Sequence, residues 1–524
     1  MKKLLCVLLA MLLVFSVTAC AGNSTETPAT ETLATETPAT DDAPEAGAEA
    51  ARTDFVYGLT SDIATLDPSK ATDQMSNIIW RQLYDTLVYR TSDGEYEPRL
   101  AESWECSEDG LVWTFKIREG VVCHDGTPLT ASDCAWSLNR MCAAPATAGI
   151  MVAMTDGGNI AVGDYTLEVH LTFPYGALLN VMAGWGRIAS ETTTDFENAP
   201  IGTGPYKFVS RASGDNVKLA AFDQYYRGEA AIKDLTFKVI TDATAQIAAV
   251  QKGEIDFLTH APLSAKQTVL DDSNLSWEET DIRGTIFLVM NHNVAPFDNE
   301  LVRKAVQCGV SKENMIIGGA EGMGTPLNTM FPTSISGSPE ADYTAPYTYD
   351  LEKAKSYMKE AGYDENNKPE VTILTCETAI YCNAANTLQG ELTRLGFDVT
   401  VNQIDRTVFF TECFAGNYQI AAMHTTMPNP DSDFIYPLCH SSEIGMTNYV
   451  PVNDPDMDHW AEVGRTSSDP EERVQAYAEM SKLIDENVYW VPLYTFKCAV
   501  IRNADLKGFA VDDLYNYYVF DWSW

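Results

Sequence analysis

Between residues 98 and 141 the apolar positions change their period, and the change predicts three elements in sequence. Leu111, Trp113, Phe115 and Ile117 alternate with Val112, Thr114, Lys116 and Arg118. A period of two with one apolar face predicts a half-buried strand over 111–118. Glu119-Gly120 breaks it, Val121-Val122-Cys123 reads as a second short strand, and Asp125-Gly126 is a turn pair. Thr130 is placed to cap a helix, with Asp133 three residues on completing a capping box. Cys134, Leu138 and Met141 then share one helical face.

Elsewhere the same two periods alternate. Strands are predicted at 54–60, 165–173, 206–209, 235–239, 255–257, 285–290, 371–374, 397–401 and 419–424, with more in 489–502. Helices are predicted over 77–88, 176–184, 298–308, 351–361, 383–395 and 470–486, and one capped by Asp242 and ended by Gly253. Asp298 and Asp350 are further candidate caps, and Gly362 and Gly396 are candidate stops. Strand, helix, strand over 235–258 implies parallel strands with a crossover helix. Alternating strands and short helices make the fold class α/β.

Residues 1–52 do not fit this pattern. Lys2 and Lys3 precede a short apolar run over 4–17, which ends Val17-Thr18-Ala19-Cys20. The run is too short for a comfortable membrane span and reads as a signal segment. Residues 21–52 repeat Thr-Glu-Thr-Pro-Ala-Thr and hold almost nothing to bury. They are expected to form a disordered acidic tether.

Composition narrows the function. The chain has 524 residues, so more than one domain is expected, and its 45% hydrophobic content fits a folded protein. A formal charge of -39 excludes nucleic acid as a partner, because a polyanion would be repelled. Ten cysteines follow Cys20, without Cys-x-x-Cys or zinc spacing. No Gly-x-Ser-x-Gly, His-Glu-x-x-His or phosphate-binding loop is present, and the glycines over 319–324 lack a dinucleotide fingerprint. His292, His424 and His440 are scattered. Neither a catalytic set nor a metal set emerges, and no cofactor is expected.

Leu-Ala-Glu-Ser-Trp at 100–104, Asp109-Gly110, Thr-Phe-Lys-Ile-Arg-Glu-Gly at 114–120 and His-Asp-Gly-Thr-Pro-Leu-Thr-Ala-Ser-Asp at 124–133 together resemble the signature of family 5 solute-binding proteins. Leu66-Asp67-Pro68, Tyr84-Asp85-Thr86-Leu87-Val88, Gly-Thr-Gly-Pro-Tyr at 202–206 and Gly-Glu-Ile-Asp at 253–256 extend the resemblance over about 55–524. These are extracytoplasmic receptors of peptide, nickel and related ABC importers. The resemblance implies a two-lobed, class II periplasmic-binding-protein-like fold with an extra subdomain in the N-terminal half and a hinge between lobes. The boundaries expected are signal peptide 1–20, tether 21–52, lobe I from 53–88, 197–280 and 488–524, the extra subdomain 89–196, and lobe II 281–487. Val-Thr-Ala-Cys resembles a lipoprotein cleavage box, with Cys20 lipidated on the outer face of the cytoplasmic membrane.

A ligand cleft between lobes is expected, walled by the loop after the 419–424 strand. In the family that loop carries an aspartate that pairs with the α-amino group of bound peptides. Aligning Asn429-Pro430 with the family's Asp-Pro puts Thr426 at that position and Met423 or His424 in the place of a tryptophan. Threonine cannot neutralise an ammonium, so simple peptides are expected to bind weakly. The candidate ligand-binding residues are Met423, His424, Thr426, Asn429, Asp431, Trp185, Arg187 and His440, the last by loose analogy with nickel receptors. Trp80 and Arg81 form a second aromatic–cation pair. The expected partners are a small solute (an oligopeptide, modified peptide, sugar-like compound or metal chelate) and ABC permease subunits with their ATPase. The expected chain is a monomer and not an enzyme. The rival readings are a signalling or adhesion receptor on the same fold and an extracellular peptide or glycan hydrolase.

Overall fold

The structure is a computed structural model that describes residues 52–91, 94–427, 429–450, 452–510 and 517–524. The signal segment, Cys20 and nearly all of the tether lie outside the described residues. The frame is a mixed sheet of twelve strands. Its path runs Asp398–Ile404, Glu370–Cys376, Ile420–Thr426, Gly284–Met290, Trp490–Asn503, Phe257–Thr259, Asp54–Leu59, Asp234–Val239, Asn216–Ala221 and Tyr206–Ala212. Leu275–Asp281 and Gly324–Pro326 pair off this path with Trp490–Asn503.

One strand joins the two halves of the frame. Trp490–Asn503 pairs through Trp490, Val491, Pro492 and Tyr494 with Gly284–Met290, and through Val500, Ile501 and Arg502 with Phe257–Thr259. The sequence pattern predicts several strands here; the structure has a single one of 14 residues. Its successive segments are buried in different cores, which blurs any single alternation.

The 235–258 crossover forms with one difference. Asp234–Val239 and Phe257–Thr259 both run parallel to Asp54–Leu59, which inserts between them. Asp242 caps the crossover helix Ala243–Gln251 by accepting from Ala245 N–H, a contact worth about 1 kcal/mol. In the C-terminal half, alternation puts the two sides of one strand in different cores. Ile420 and Ala422 pack with Leu388 and Leu392, whereas Ala421 and Met423 pack with Phe409 and Trp490. Helices therefore cover both faces of that half of the sheet.

Residues 101–171 form a separate antiparallel sheet in the order Ala101–Cys106, Val112–Ile117, Thr166–Leu171, Met154–Ala161. Trp113, Phe115 and Ile117 are buried, as their alternation requires. Helix Ala131–Ala143 closes over it with the Thr130–Asp133 capping box in place. Val121–Cys123 forms no strand; Val122 makes one isolated bridge to Pro128. The cap of Glu300–Gly309 is Asn299, whose side chain accepts from Leu301 N–H, rather than Asp298.

The two most recognisable motifs clasp each other. The His124 ring accepts from Gly202 N–H at 3.2 Å through Nδ1 and donates to Gly204 O at 2.9 Å through Nε2. That arrangement requires the neutral ring, and burial pushes its pKa down to about 4. A Cβ on Gly202 or Gly204 would stand 1.9 or 2.5 Å from a backbone oxygen of Leu83 or Gln82. The glycines of Gly-Thr-Gly-Pro-Tyr therefore let the turn lie against the end of helix Gln74–Leu83.

Candidate ligand cleft

A cavity of about 990 Å³ opens where the two halves of the frame face each other. Asn77 reaches it from helix Gln74–Leu83, and Trp185 from the end of helix Leu178–Gly184. Arg283, Glu321 and Thr426 line the opposite wall, and Lys497 comes from the joining strand. Ile150, Met323, Ile380 and Phe496 supply apolar surface. This combination of a broad apolar lining with few polar groups suits a small organic solute. His260 and Glu321 also line the cavity, and they are two of the three described non-glycine residues with positive φ, at 59° and 53°. Such backbone strain concentrates at functional sites.

The sequence-nominated residues separate into three groups. Thr426 and Trp185 line the cavity. His424 and Arg187 stand behind its wall. The His424 ring meets Phe496 edge-on at 5.8 Å, its Nε2 is sealed without a hydrogen-bond partner, and burial lowers its pKa to about 4. Arg187 is 1% exposed and donates through Nη2 to Asn77 Oδ1 at 2.9 Å. Trp80 is buried and donates through Nε1 to Thr65 O.

Met423, Asn429, Asp431 and His440 do not reach the cavity. Met423 is fully buried because strand alternation turns it into the opposite core. Asn429 lies beyond the lining residues, its carbonyl accepting from Asp431 N–H. Asp431 binds the Arg473 guanidinium, with Nη1 to Oδ2 at 3.0 Å, and accepts from Asn180 Nδ2 at 2.7 Å. Asp433 holds Arg465 through two bonds of 2.8 and 3.1 Å and accepts from Tyr175 Oη at 3.2 Å. This loop therefore fastens the C-terminal half to Tyr175 and to Asn180 on helix Leu178–Gly184 rather than presenting carboxylates to a ligand. His440 stacks on Tyr436 at 4.4 Å, and its Nδ1 meets Ser442 Oγ at 2.7 Å. No group of three or more metal-ligating side chains occurs among the described residues.

Asn77, Arg283, Glu321 and Lys497 went unnamed in the sequence. They sit on four separate segments with no shared spacing, so only the folded frame brings them together.

A two-lobed α/β frame with a cleft of about 990 Å³ between its halves defines a class, the binding proteins that take a solute between lobes. The family model for bacterial extracellular solute-binding proteins, family 5 middle, matches residues 95–446, and the chain belongs to that family. Its members are substrate-binding proteins of ABC importers. Glutathione-binding protein GsiB of Salmonella paratyphi A is 25% identical over 481 residues, covering 88% of this chain and 92% of that protein. Heme-binding protein A of Haemophilus influenzae is 25% identical over 474 residues, covering 84% and 86%. The structure of HbpA2 from Haemophilus parasuis superposes with a TM-score of 0.80 at 24% identity, covering 90% of this chain and 99% of that one.

Proposed function

We propose that this chain is a lipid-anchored extracytoplasmic receptor that captures a small solute in the cleft and delivers it to an ABC permease. The observation that carries the reading is the 990 Å³ cavity lined from both halves of the frame. A solute touching both walls favours the conformation in which both contacts exist, and so drives the lobes together. The lobes are residues 53–88 with 197–280 and 488–524 on one side and 281–487 on the other, with 89–196 attached to the first. The receptor works as a monomer and performs no catalysis.

The relatives' names point to glutathione and heme, two solutes of different shape. Thr426 stands where peptide receptors carry their amine-binding aspartate, and Glu321 is the one carboxylate among the described cavity-lining residues. A free peptide amine therefore has a poor partner at Thr426, which favours a modified peptide, a sugar-like compound or a chelate.

Cys20 carries a diacylglycerol, whose two chains suffice for stable anchoring. Cys20→Ala expressed in a native-type host is then released from membranes by high salt; retention places the anchor elsewhere. The function itself is tested by purifying the protein from such a host and identifying its small-molecule cargo by mass spectrometry. One solute that rebinds at one equivalent supports the receptor. Turnover of that solute into a product would replace the receptor with an enzyme.

A further inference from the structure

Behind Asn77 and Trp185 lies a cluster of buried charge that does not balance among the described residues. Arg81, Arg99 and Arg187 are 4, 6 and 1% exposed, and the one carboxylate with them among the described residues, Asp85, is 2% exposed. Asp85 accepts from Tyr225 Oη at 2.7 Å, and its charge acts chiefly on Arg99. Arg99 also stacks over Tyr89 at 4.4 Å, and Arg81 donates to the Tyr518 hydroxyl at 3.4 Å. Among the described residues, Nε and Nη1 of Arg187 have no hydrogen-bond partner. Burial, reinforced by the charge of Arg81, pushes the Arg187 pKa down to about 9, so it stays protonated at neutral pH. Tyr518 and the charge of Asp85 favour the charged form but do not offset its burial, and an incompletely compensated buried cation is costly, which is a reason to expect a partner that comes and goes.

Asn77 connects this cluster to the cleft. Its Oδ1 is occupied by Arg187, which turns its Nδ2 away from the guanidinium. Asn77 lines the cavity, so an N–H donor polarised by a guanidinium is available there. Lys497 lines the same cavity, and no ion pair to it exists among the described residues.

We infer that the Asn77–Trp185 end of the cleft receives an anionic group of the solute, a carboxylate, phosphate or sulfonate, through the Asn77 amide under the field of Arg187 and Arg81. The inference rests on the cleft being the solute site and adds the charge of what enters it. Arg187 holds and polarises Asn77, and is a positioning residue in this scheme.

Asn77→Asp tests it, because the new carboxylate would take the place of the amide oxygen 2.9 Å from Arg187 Nη2. In the full chain, stripped of cargo in denaturant and refolded, Asn77→Asp is expected to melt at least 2 °C above wild type. It is also expected to be recovered without cargo, while native mass spectrometry of wild type purified without denaturant detects a solute bearing an acidic group. An unchanged or lower melting point shows that Arg187 is already neutralised, and overturns the inference. So does a wild-type cargo with no acidic group, which leaves the receptor function intact. If wild type carries no cargo, the receptor reading loses its support and the melting point alone decides: a rise keeps the anion site and no rise removes it.

Discussion

Two buried charge clusters flank the cleft, and they are built on opposite principles. At the Asp431–Asp433 loop, two carboxylates meet two guanidinium groups, Arg473 and Arg465, and their remaining acceptor sites are filled by Asn180 and Tyr175. Beside helix Gln74–Leu83, among the described residues, three guanidinium groups share one carboxylate, and Nε and Nη1 of Arg187 have no hydrogen-bond partner. The first cluster is closed, with each charge answered inside the fold. The second is open in that it is short of acceptors, and Asn77 links it to the cavity wall. A closed cluster is structural cement, whereas an open one next to a cavity signals a missing ligand group. Counting partners separates the two, although burial alone makes them look alike.

The largest effect is expected from breaking the closed cluster. Arg473→Ala leaves Asp431 buried without its main partner and should cost about 3–5 kcal/mol, read as a lower midpoint in guanidinium titration. Arg187→Gln in cargo-free protein should cost far less, because no ion pair is lost. If the two variants lose equal stability, the distinction between the clusters collapses.

A smaller effect is expected where the closed cluster meets its neighbour. Gly176 N–H donates to Arg465 O at 2.9 Å, and a Cβ on Gly176 would stand 2.0 Å from Ser467 O. Its φ is not left-handed, so Gly176→Ala strains nothing locally and acts as a wedge, costing about 1–3 kcal/mol. Small-angle scattering should show a larger radius of gyration than wild type, with secondary structure retained. An unchanged profile would mean that this contact does not set the relation between lobes.

The smallest effect concerns pH. The folded pKa of His124 is about 4, below the ordinary 6.5, because burial penalises the charged ring. Between those values the unfolded chain binds a proton that the folded chain does not. Stability from this group is therefore full above about 6.5 and is lost as pH falls towards 4, by up to about 3 kcal/mol. Asp485 acts in the opposite sense, since burial raises its pKa to about 6 and the folded state there binds the extra proton. Melting temperatures of wild type and His124→Gln should differ more at pH 7 than at pH 4.5; a constant difference would show that His124 does not titrate with unfolding.

Most of the frame was legible because its signals are local. The Thr130–Asp133 box, the Asp242 and Asp350 caps and the Gly396 stop act within a few residues, and all four are present. The joining strand was harder, because its sides face different cores along its length. Of the residues named from the sequence, Thr426, from a contiguous loop, and Trp185, from an aromatic–cation pair, line the cavity. Met423 was misplaced by one step of strand alternation. Asp431 was taken for a ligand contact because its partner, Arg473, lies 42 residues away. The open cluster draws on Arg81, Arg99 and Arg187, whose shortage of carboxylates becomes visible only after folding.

The central claim, that solute occupies the cavity between the two halves, is tested most directly by filling it. Thr426 is exposed at the cavity wall, so Thr426→Trp adds a large ring there without entering the core. Calorimetric titration of the solute released from wild type should give one site on wild type and a loss of at least about 100-fold, roughly 2.7 kcal/mol, on Thr426→Trp with unchanged melting temperature. Equal affinity for the two proteins would place the solute elsewhere and contradict the account.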